Sequence, residues 1–214
     1  GNATMGSGVD KYALEQSIYD VLVDNATIEQ VRCRADGGTF DVLPANGDLT
    51  AAEVELIESG HKERRLREAL ASVAGEYDYI LIDCPPSLNI LTLNGLIAAD
   101  SVLIPMQCEY YALEGLSDLV NTIKIVHAKM NPDLKVIGLL RVMFDPRMML
   151  SQQVSSELEK HFGDKVFKTI IPRNVRLAEA PSYGIPGVIF DSAAKGAQAY
   201  TAFGKELLDR IAAL

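Results

Sequence analysis

The amino-acid sequence predicts an α/β domain with a mostly parallel sheet and helices on both faces. Strand-like and helix-like segments alternate along the 214 residues, the order that a parallel sheet with crossover helices requires. One strand candidate is an unbroken apolar run, as expected for a strand covered on both faces. The sequence contains no low-complexity linker and no internal repeat, so we expect residues 1–214 to form a single domain.

Six segments have the apolar character of strands. In chain order they are Phe40–Pro44, Tyr79–Asp83, Ser101–Met106, Val136–Phe144, Val166–Ile171 and Gly187–Phe190. Five further segments have helical patterns, and in the third of them the apolar residues recur at helical spacing, so that face is expected to pack on the sheet. They are Leu14–Val23, Lys62–Val73, Leu113–Met130, Leu150–Phe162 and Ala197–Ala213.

Composition narrows the class of protein. Hydrophobic residues make up 48% of the chain, and no apolar run reaches transmembrane length. The N-terminus has no signal pattern, so the expected location is the cytoplasm. The three cysteines (Cys33, Cys84 and Cys108) show no C-x-x-C spacing, so they indicate neither a disulfide framework nor a zinc site. We expect each to be a small buried hydrophobic residue.

The charge is unevenly distributed. The net charge of −9 argues weakly against a general nucleic-acid binder. Between Arg141 and Arg176, however, seven basic residues stand against four acidic ones. This window permits a basic face on an acidic protein, although a solvated helix of mixed charge gives a similar count.

The stretch Tyr77–Ser87 ends an apolar run with Asp83, and two prolines follow. Open α/β sheets bind ligands at the carboxyl ends of their strands. A carboxylate at such an end can hold Mg²⁺ near a nucleotide phosphate. Alternatively, Asp83 is a turn former and the prolines only terminate the strand. The residues alone leave both interpretations open.

The beginning of the chain lacks the usual nucleotide-binding unit. Residues 1–8 form a glycine-rich stretch with no strand before it, and neither G-x-G-x-x-G nor G-x-x-x-x-G-K-[ST] occurs. Such a domain normally opens with a strand, a phosphate loop and a helix. We therefore expect the fold to be missing its first β-α-β unit.

Four stretches together resemble the ParA/Soj family of chromosome- and plasmid-partitioning ATPases, P-loop NTPases of the deviant Walker (SIMIBI) type related to MinD. In family order they are Tyr77–Leu88, Ile104–Leu116, Ile171–Ser182 and Ala194–Tyr200. The opening residues resemble the segment just after the family's second strand. The resemblance implies that this chain starts downstream of the Walker A loop and of the aspartate that positions the attacking water. We therefore assign no catalytic residue.

The resemblance also implies roles for individual residues. Asp83 matches the Walker B aspartate, which reaches Mg²⁺. Pro172 and Asn174 match the loop beside the adenine of ATP, and Met143 either lines the same pocket or belongs to the core. The switch-like turn and the nucleotide-dependent dimer face are matched by Pro85, Pro86, Ser87, Glu109 and Tyr110.

Two arginines, Arg147 and Arg176, match residues with which the family holds DNA without regard to sequence. Guanidinium groups bind phosphates in bidentate geometry, and contacts to the DNA backbone supply non-specific affinity. Lys160, Lys165 and Lys168 are expected to extend the same basic patch. Considered singly, Arg147 or Arg176 would more often be a surface arginine with no partner.

The resemblance implies an ATPase of DNA segregation that binds ATP and Mg²⁺, forms a homodimer and binds DNA non-specifically on the nucleoid. A ParB/Spo0J-type centromere-binding protein would stimulate hydrolysis. Without a phosphate loop, this chain alone is expected to be inactive. The first alternative is a nucleotide-free DNA-binding or regulatory module. The second is a MinD-like membrane-cycling ATPase, but residues 205–214 are too mixed in charge for a basic membrane anchor, so no membrane partner is expected.

Overall fold

The computed structural model describes residues 1–35, 38–58, 63–85 and 87–213. The chain divides into two compact units, which are described separately. Unit 1 comprises Gly1–Ala99 and Ala180–Pro186, and unit 2 comprises Asp100–Glu179 and Gly187–Leu214.

Unit 1 is mainly helical in its described part. Its helices are α1 (Asn2–Gly6), α2 (Ile18–Leu22), α3 (Ile28–Val31), α4 (Leu49–Glu58), α5 (Arg65–Leu70) and α6 (Ile90–Ala98), with short 3₁₀ turns at Ala74–Glu76 and Ala180–Tyr183. Two short strands, β1 (Cys33–Arg34) and β2 (Asp41–Val42), pair antiparallel. Capping boxes begin α2 and α3. Ser17 and Thr27 each accept a backbone N–H of the first helical turn, and Asp20 and Gln30 accept the N–H groups of these capping residues in return.

Two apolar clusters form the core of unit 1. Their buried members are Val21, Ile28, Val31 and Val73 in the first cluster, and Leu22, Ala52, Leu56 and Leu66 in the second. Tyr77 packs against the first cluster and Ile82 against the second. The chain between these two residues is therefore held to the core at both ends.

Unit 2 is built on a parallel sheet in the order β3 (Ser101–Gln107), β4 (Lys135–Phe144) and β5 (Val166–Pro172). Its helices are α7 (Ala112–Lys129), α8 (Met149–Phe162), α9 (Val175–Glu179), α10 (Gly187–Phe190) and α11 (Lys195–Ala212), with a 3₁₀ turn at Gly163–Lys165. Helices α7 and α8 are the crossovers between successive strands. The carboxyl ends of all three strands consequently lie along one edge of the sheet, and the amino ends lie along the opposite edge.

One apolar cluster of unit 2 lies between the sheet and α11. Its buried members are Leu140, Phe167, Ile171 and Phe203. The rings of Phe167 and Phe203 meet edge to face with their centroids 5.0 Å apart. A side chain at Gly138 would collide with this packing, because an added Cβ would lie 2.6 Å from the Lys165 carbonyl oxygen.

Helix α11 also holds the edge strand β5 by hydrogen bonds. The Glu206 carboxylate accepts the backbone N–H groups of Lys168 at 2.7 Å and Thr169 at 2.9 Å. One turn later, Arg210 donates to the carbonyl oxygen of Val166 at 2.8 Å and lies over the Phe167 ring. These side chains satisfy edge groups that would otherwise need another strand or water.

Arg141 is a structural residue inside unit 2. Its side chain is buried, and it donates to Ser155 Oγ and to the Phe167 carbonyl oxygen, each at 2.8 Å. It also pairs with Glu159 of α8. Arg141 belongs to the positively charged window of the sequence, but it contributes no charge to an exposed face.

The structure confirms the α/β class, the three strands of unit 2 and the helices that correspond to α7, α8 and α11. The predicted helix over Lys62–Val73 is shorter, with α5 limited to Arg65–Leu70, and Lys62 lies outside the described residues. In place of Leu14–Val23 there is the short α2. Helices α4 and α6 were not predicted. Among the helices that the structure describes, none is both long and apolar enough to cross a membrane.

Other expectations were wrong. Tyr79–Asp83 belongs to no strand, because no neighbouring segment in the described chain supplies a backbone hydrogen-bonding partner. Gly187–Phe190 is helical, since its apolar residues form one turn after Pro186 and short apolar runs do not distinguish strand from helix. Phe40–Pro44 is reduced to β2, which pairs antiparallel. Cys84 is exposed rather than buried.

Candidate functional site

Asp83 lies in unit 1, in the segment without helix or strand that follows Tyr77. Its side chain is exposed, and among the described residues no group of three His, Cys, Asp or Glu side chains could hold a metal ion. A site with a single protein carboxylate is compatible with Mg²⁺, because this ion keeps several waters and takes few protein ligands. The next residue, Cys84, is tightly placed, since a Cβ at Gly95 would lie 2.8 Å from its Sγ. Desolvation, and then the charge of Asp83, raise the pKa of this thiol.

The turn after Asp83 is fixed by the start of α6. Pro85 and Ser87 are exposed, and the Ser87 carbonyl oxygen accepts the Thr92 hydroxyl at 2.6 Å. Asn89 caps the helix by accepting the N–H groups of Leu91 at 3.1 Å and Thr92 at 3.0 Å. Pro86 lies outside the described residues. The turn is therefore anchored on its carboxyl side.

The second group of predicted residues lies in unit 2 at the carboxyl edge of the sheet, in the last residues of β4 and β5 and in the loops that follow them. These loops are joined directly, because the N–H of Arg173 after β5 donates to the carbonyl oxygen of Phe144 at the end of β4 at 3.2 Å. Phe144 is also in register with Pro172. The parallel sheet thus brings Met143, Pro172 and Asn174 to neighbouring positions.

Two of these three residues have distinctive local structure. Met143 has a φ of 51°, in the left-handed region that side chains other than glycine rarely adopt, and its side chain is exposed. Asn174 accepts the Leu177 N–H through Oδ1 at 3.2 Å, as a helix-capping residue does. Gly196 lets α11 approach closely, since its Cβ would lie 2.9 Å from that of Asn174.

Arg147 is held by a bidentate ion pair with Asp145. The Asp145 carboxylate accepts hydrogen bonds from Nε of Arg147 at 2.9 Å and from its Nη2 at 2.7 Å. The hydrogen bonds from Arg147 lower the pKa of Asp145 to about 2, with a smaller contribution from the charge of Arg173. The Arg147 side chain is nevertheless 87% exposed, so the pair orients the guanidinium without burying it.

Arg176 lies in α9 at the same edge, where it pairs with Glu179 at 2.9 Å and with Asp191 at 3.4 Å. Its side chain remains exposed. Arg173 is a third exposed cation here, and it was not selected from the sequence. Its position directly after β5 and inside the positively charged window was the available signal.

The predicted lysines lie elsewhere. Lys160 is in the last turn of α8 and Lys165 directly precedes β5, so both lie towards the amino edge of the sheet, and Lys168 is in the first half of β5. The 14 residues of α8 separate Arg147 from Lys165, and a helix of that length spans about 21 Å. The structure therefore does not bring the lysines together with the arginines.

The loop after β3 carries the remaining predicted residues. Tyr110 and Tyr111 are both exposed and meet edge to face with ring centroids 5.0 Å apart. Glu109 begins the turn into α7, where its carbonyl oxygen accepts the Ala112 N–H at 3.1 Å. Ser151 of α8 donates to the Cys108 carbonyl oxygen at 3.2 Å, which holds this loop to the start of α8.

The two units differ in charge. Unit 1 contains 16 acidic and seven basic residues, whereas unit 2 contains 13 of each. The net negative charge of the chain therefore lies in unit 1. A polyanion would be repelled less by unit 2 than by unit 1.

Comparisons with known proteins agree with this architecture. The AAA domain family matches residues 1–136. The sporulation initiation inhibitor protein Soj of Bacillus subtilis is 50% identical over 97% of this chain and 82% of its own length. The chromosome partitioning protein ParA of Myxococcus xanthus is 50% identical over 98% of this chain and 74% of its own. A crystal structure of cobyrinic acid a,c-diamide synthase from Mycobacterium smegmatis, with an ATP analogue and magnesium, has a TM-score of 0.83 at 36% identity and covers 96% of this chain and 76% of that one.

The parallel sheet and these similarities place the chain in the P-loop class of α/β ATPases. Within that class, the identity to Soj and to ParA shows that the chain belongs to the ParA/Soj family of chromosome-partitioning ATPases.

Proposed function

We propose that this protein is a DNA-segregation ATPase that binds ATP with Mg²⁺, pairs with a second copy and holds DNA without regard to sequence. A ParB-type centromere-binding partner would stimulate hydrolysis and so release the DNA. The single observation that carries the DNA part is the grouping of Arg147, Arg173 and Arg176 at one sheet edge. The proposal places the protein in the cytoplasm, on the nucleoid.

The nucleotide part of the proposal has two separate supports, the Asp83 turn of unit 1 and the carboxyl edge of the unit 2 sheet. Asp83 would supply a single carboxylate to Mg²⁺, which neutralises the charge that develops on the phosphates during transfer to water. The adenine would lie against Met143 and Pro172. Because Oδ1 of Asn174 is occupied by the Leu177 N–H, its NH₂ group is the part that can donate to the base.

No cradle for the phosphates is assigned within these 214 residues. Backbone N–H groups and a lysine normally provide one, and the G-x-x-x-x-G-K-[ST] pattern does not occur in this sequence. We therefore propose that the 214-residue chain turns over no ATP by itself.

The exposed aromatic loop after β3 supports a homodimer face. Tyr110 and Tyr111 offer rigid amphipathic surface of the kind enriched at protein interfaces. In unit 1, Pro85 and Ser87 would supply a separate, nucleotide-responsive contact to the second copy. Helix α11 does not favour a membrane role, since its buried residues Gly196, Ala197 and Phe203 are used within unit 2.

The DNA assignment can be tested by fluorescence anisotropy of a labelled random-sequence duplex, titrated with the chain at several salt concentrations. Replacing Arg147 or Arg176 by alanine should weaken binding equally on all sequences. Each replacement should also reduce the slope of log affinity against log salt by about 0.9, because one phosphate of the duplex is no longer neutralised. Lys160→Ala is the matched control, since it removes one exposed cation away from the arginine edge.

Two outcomes would contradict the assignment. The first is an equal loss of affinity in Lys160→Ala and Arg147→Ala, which would mean that only total charge matters. The second is an absence of binding by the unaltered chain at low salt.

A further inference from the structure

The arginines at the carboxyl edge of the unit 2 sheet are matched by carboxylates of the same unit. Arg147 pairs with Asp145, and Arg176 pairs with Glu179 and Asp191. Together with the third arginine of this edge, three guanidinium groups stand against three carboxylates. Such a surface presents little net charge to a polyanion, even though the arginine side chains are exposed.

The pair between Arg147 and Asp145 occupies donors that a phosphate would also use. Nε of Arg147 donates to Oδ1 of Asp145 at 2.9 Å, and Nη2 donates to Oδ2 at 2.7 Å. Two parallel N–H donors of this kind fit a phosphate as well as a carboxylate. A phosphate that takes the same two donors must displace Asp145, and one that takes Nη1 instead approaches a charge of its own sign.

Asp145 is anchored independently of the Arg147 side chain. Oδ1 of Asp145 also accepts the backbone N–H of Arg147 at 3.0 Å. The Asp145 side chain is 19% exposed, compared with 87% for that of Arg147. When the pair opens, the guanidinium is therefore the part that moves away, and the carboxylate stays at the end of β4.

Asp145 stays charged at neutral pH. Hydrogen bonds from the side chain and the backbone N–H of Arg147 lower the pKa of Asp145 to about 2. A change of pH near neutrality consequently does not free Arg147. Only a competing anion or a substitution releases it.

We propose that Asp145 restrains DNA binding at this edge by holding the Nε and Nη2 donors of Arg147, and that DNA binds by exchanging this carboxylate for a backbone phosphate. The inference rests on the proposed DNA function and concerns the affinity of the same surface. Because the carboxylate competes with phosphates and not with bases, it lowers affinity equally on all sequences.

Asp145→Asn separates the charge of Asp145 from its local structural role. Asparagine keeps an Oδ1 that accepts the backbone N–H of residue 147, so the turn after β4 is retained. It loses the negative charge that holds the guanidinium. Exposed ion pairs contribute little, so the expected gain in DNA affinity is about two- to fivefold.

The test is a double-mutant cycle on the full 214-residue chain, with anisotropy of a labelled random-sequence duplex at low salt. Its four members are wild type, Asp145→Asn, Arg147→Ala and the variant with both substitutions. We expect Asp145→Asn to bind about two- to fivefold more tightly than wild type. In the Arg147→Ala background the same substitution should add no such gain, because no guanidinium is left to release. Near-ultraviolet circular dichroism would confirm that the variants fold.

Glu114→Gln is the matched control for loss of one acidic charge. Glu114 is exposed in the first turn of α7, and within the described residues it forms no ion pair with Arg147. Any gain from this substitution reports long-range charge alone. It should therefore have the same size with and without Arg147.

Three results would overturn the proposal. Weaker binding by Asp145→Asn would mean that Asp145 orients Arg147 for DNA, and an equal gain in both backgrounds would mean that only long-range charge matters. If wild type binds and depends on Arg147 but Asp145→Asn changes nothing, this inference fails while the proposed function stands. If neither wild type nor Asp145→Asn binds at low salt, both fail.

Discussion

Replacing Glu206 tests how unit 2 protects the edge of its sheet. The Glu206 carboxylate accepts the N–H groups of Lys168 and Thr169, and Arg210 lies 3.4 Å away. Hydrogen bonds to a charged group contribute about 1.5–3 kcal/mol each. Water can replace the bond at the exposed Lys168, so we expect Glu206→Ala to lower the free energy of unfolding by about 3 kcal/mol. Glu206→Gln keeps one neutral acceptor and should cost about 1.5 kcal/mol.

The effect has a defined dependence on pH. Burial by itself raises the pKa of Glu206, but the N–H groups of Lys168 and Thr169 outweigh it and leave the pKa below its ordinary value. Because the pKa is lower in the folded state, the stabilisation is complete above the unfolded pKa of about 4.3 and is lost as the pH falls through the folded value. The free energies of unfolding of wild type and of Glu206→Gln should therefore converge in strong acid.

Urea unfolding followed by far-ultraviolet circular dichroism, near neutral pH and in strong acid, measures both quantities. Asp209→Asn on the same helix is the matched control, since Asp209 is exposed and its replacement should change stability by less than about 0.5 kcal/mol. Two results would refute the role of Glu206 in holding β5. One is a Glu206→Gln variant as stable as wild type at neutral pH, and the other is a difference in the free energy of unfolding that is unchanged in acid.

Two further predictions concern packing in unit 2, both measured by urea unfolding. Arg141→Met should lower the free energy of unfolding by about 1–2 kcal/mol, because Glu159 is 57% exposed and stays hydrated. Glu159→Ala should lower it by about 3 kcal/mol, because it leaves Arg141 buried without its counter-charge. A larger loss in Arg141→Met would contradict this asymmetry. Gly138→Ala should destabilise by about 1–3 kcal/mol through the clash with the Lys165 carbonyl oxygen. Gly204→Ala, in open space on α11, should instead stabilise by about 0.5–1 kcal/mol, and a like effect at both glycines would refute the clash.

The sequence predicted those elements whose signal is local and strong. The strands of unit 2 are apolar runs bounded by long amphipathic helices, and the structure places them where expected. Tyr79–Asp83 has the same apolar character but is not a strand, because strand formation depends on a partner that the pattern of one segment cannot report. The helix α4 was missed since its apolar residues Val54 and Ile57 are exposed and obscure the helical spacing.

The residues of the candidate site also differ in how far the sequence predicts their roles and positions. Asp83 is readable from the sequence because it ends an apolar run, and Asn174 because it belongs to a stretch that resembles the family. The separation of Lys165 from Arg147 depends on strand direction and helix length, which a count of charges within a window does not contain. The burial of Arg141 and the left-handed backbone of Met143 are likewise set by tertiary packing.

If Arg147, Arg173 and Arg176 hold DNA as proposed, their small number has a kinetic consequence. A surface that neutralises two or three phosphates releases few counterions, so one copy would leave a polyanion quickly at physiological salt. Two joined copies rebind before both can leave, and their retention rises with the effective concentration of the second surface. Residence time would then be governed by whether copies are joined, and any event that separates a pair would also clear both copies from the polymer.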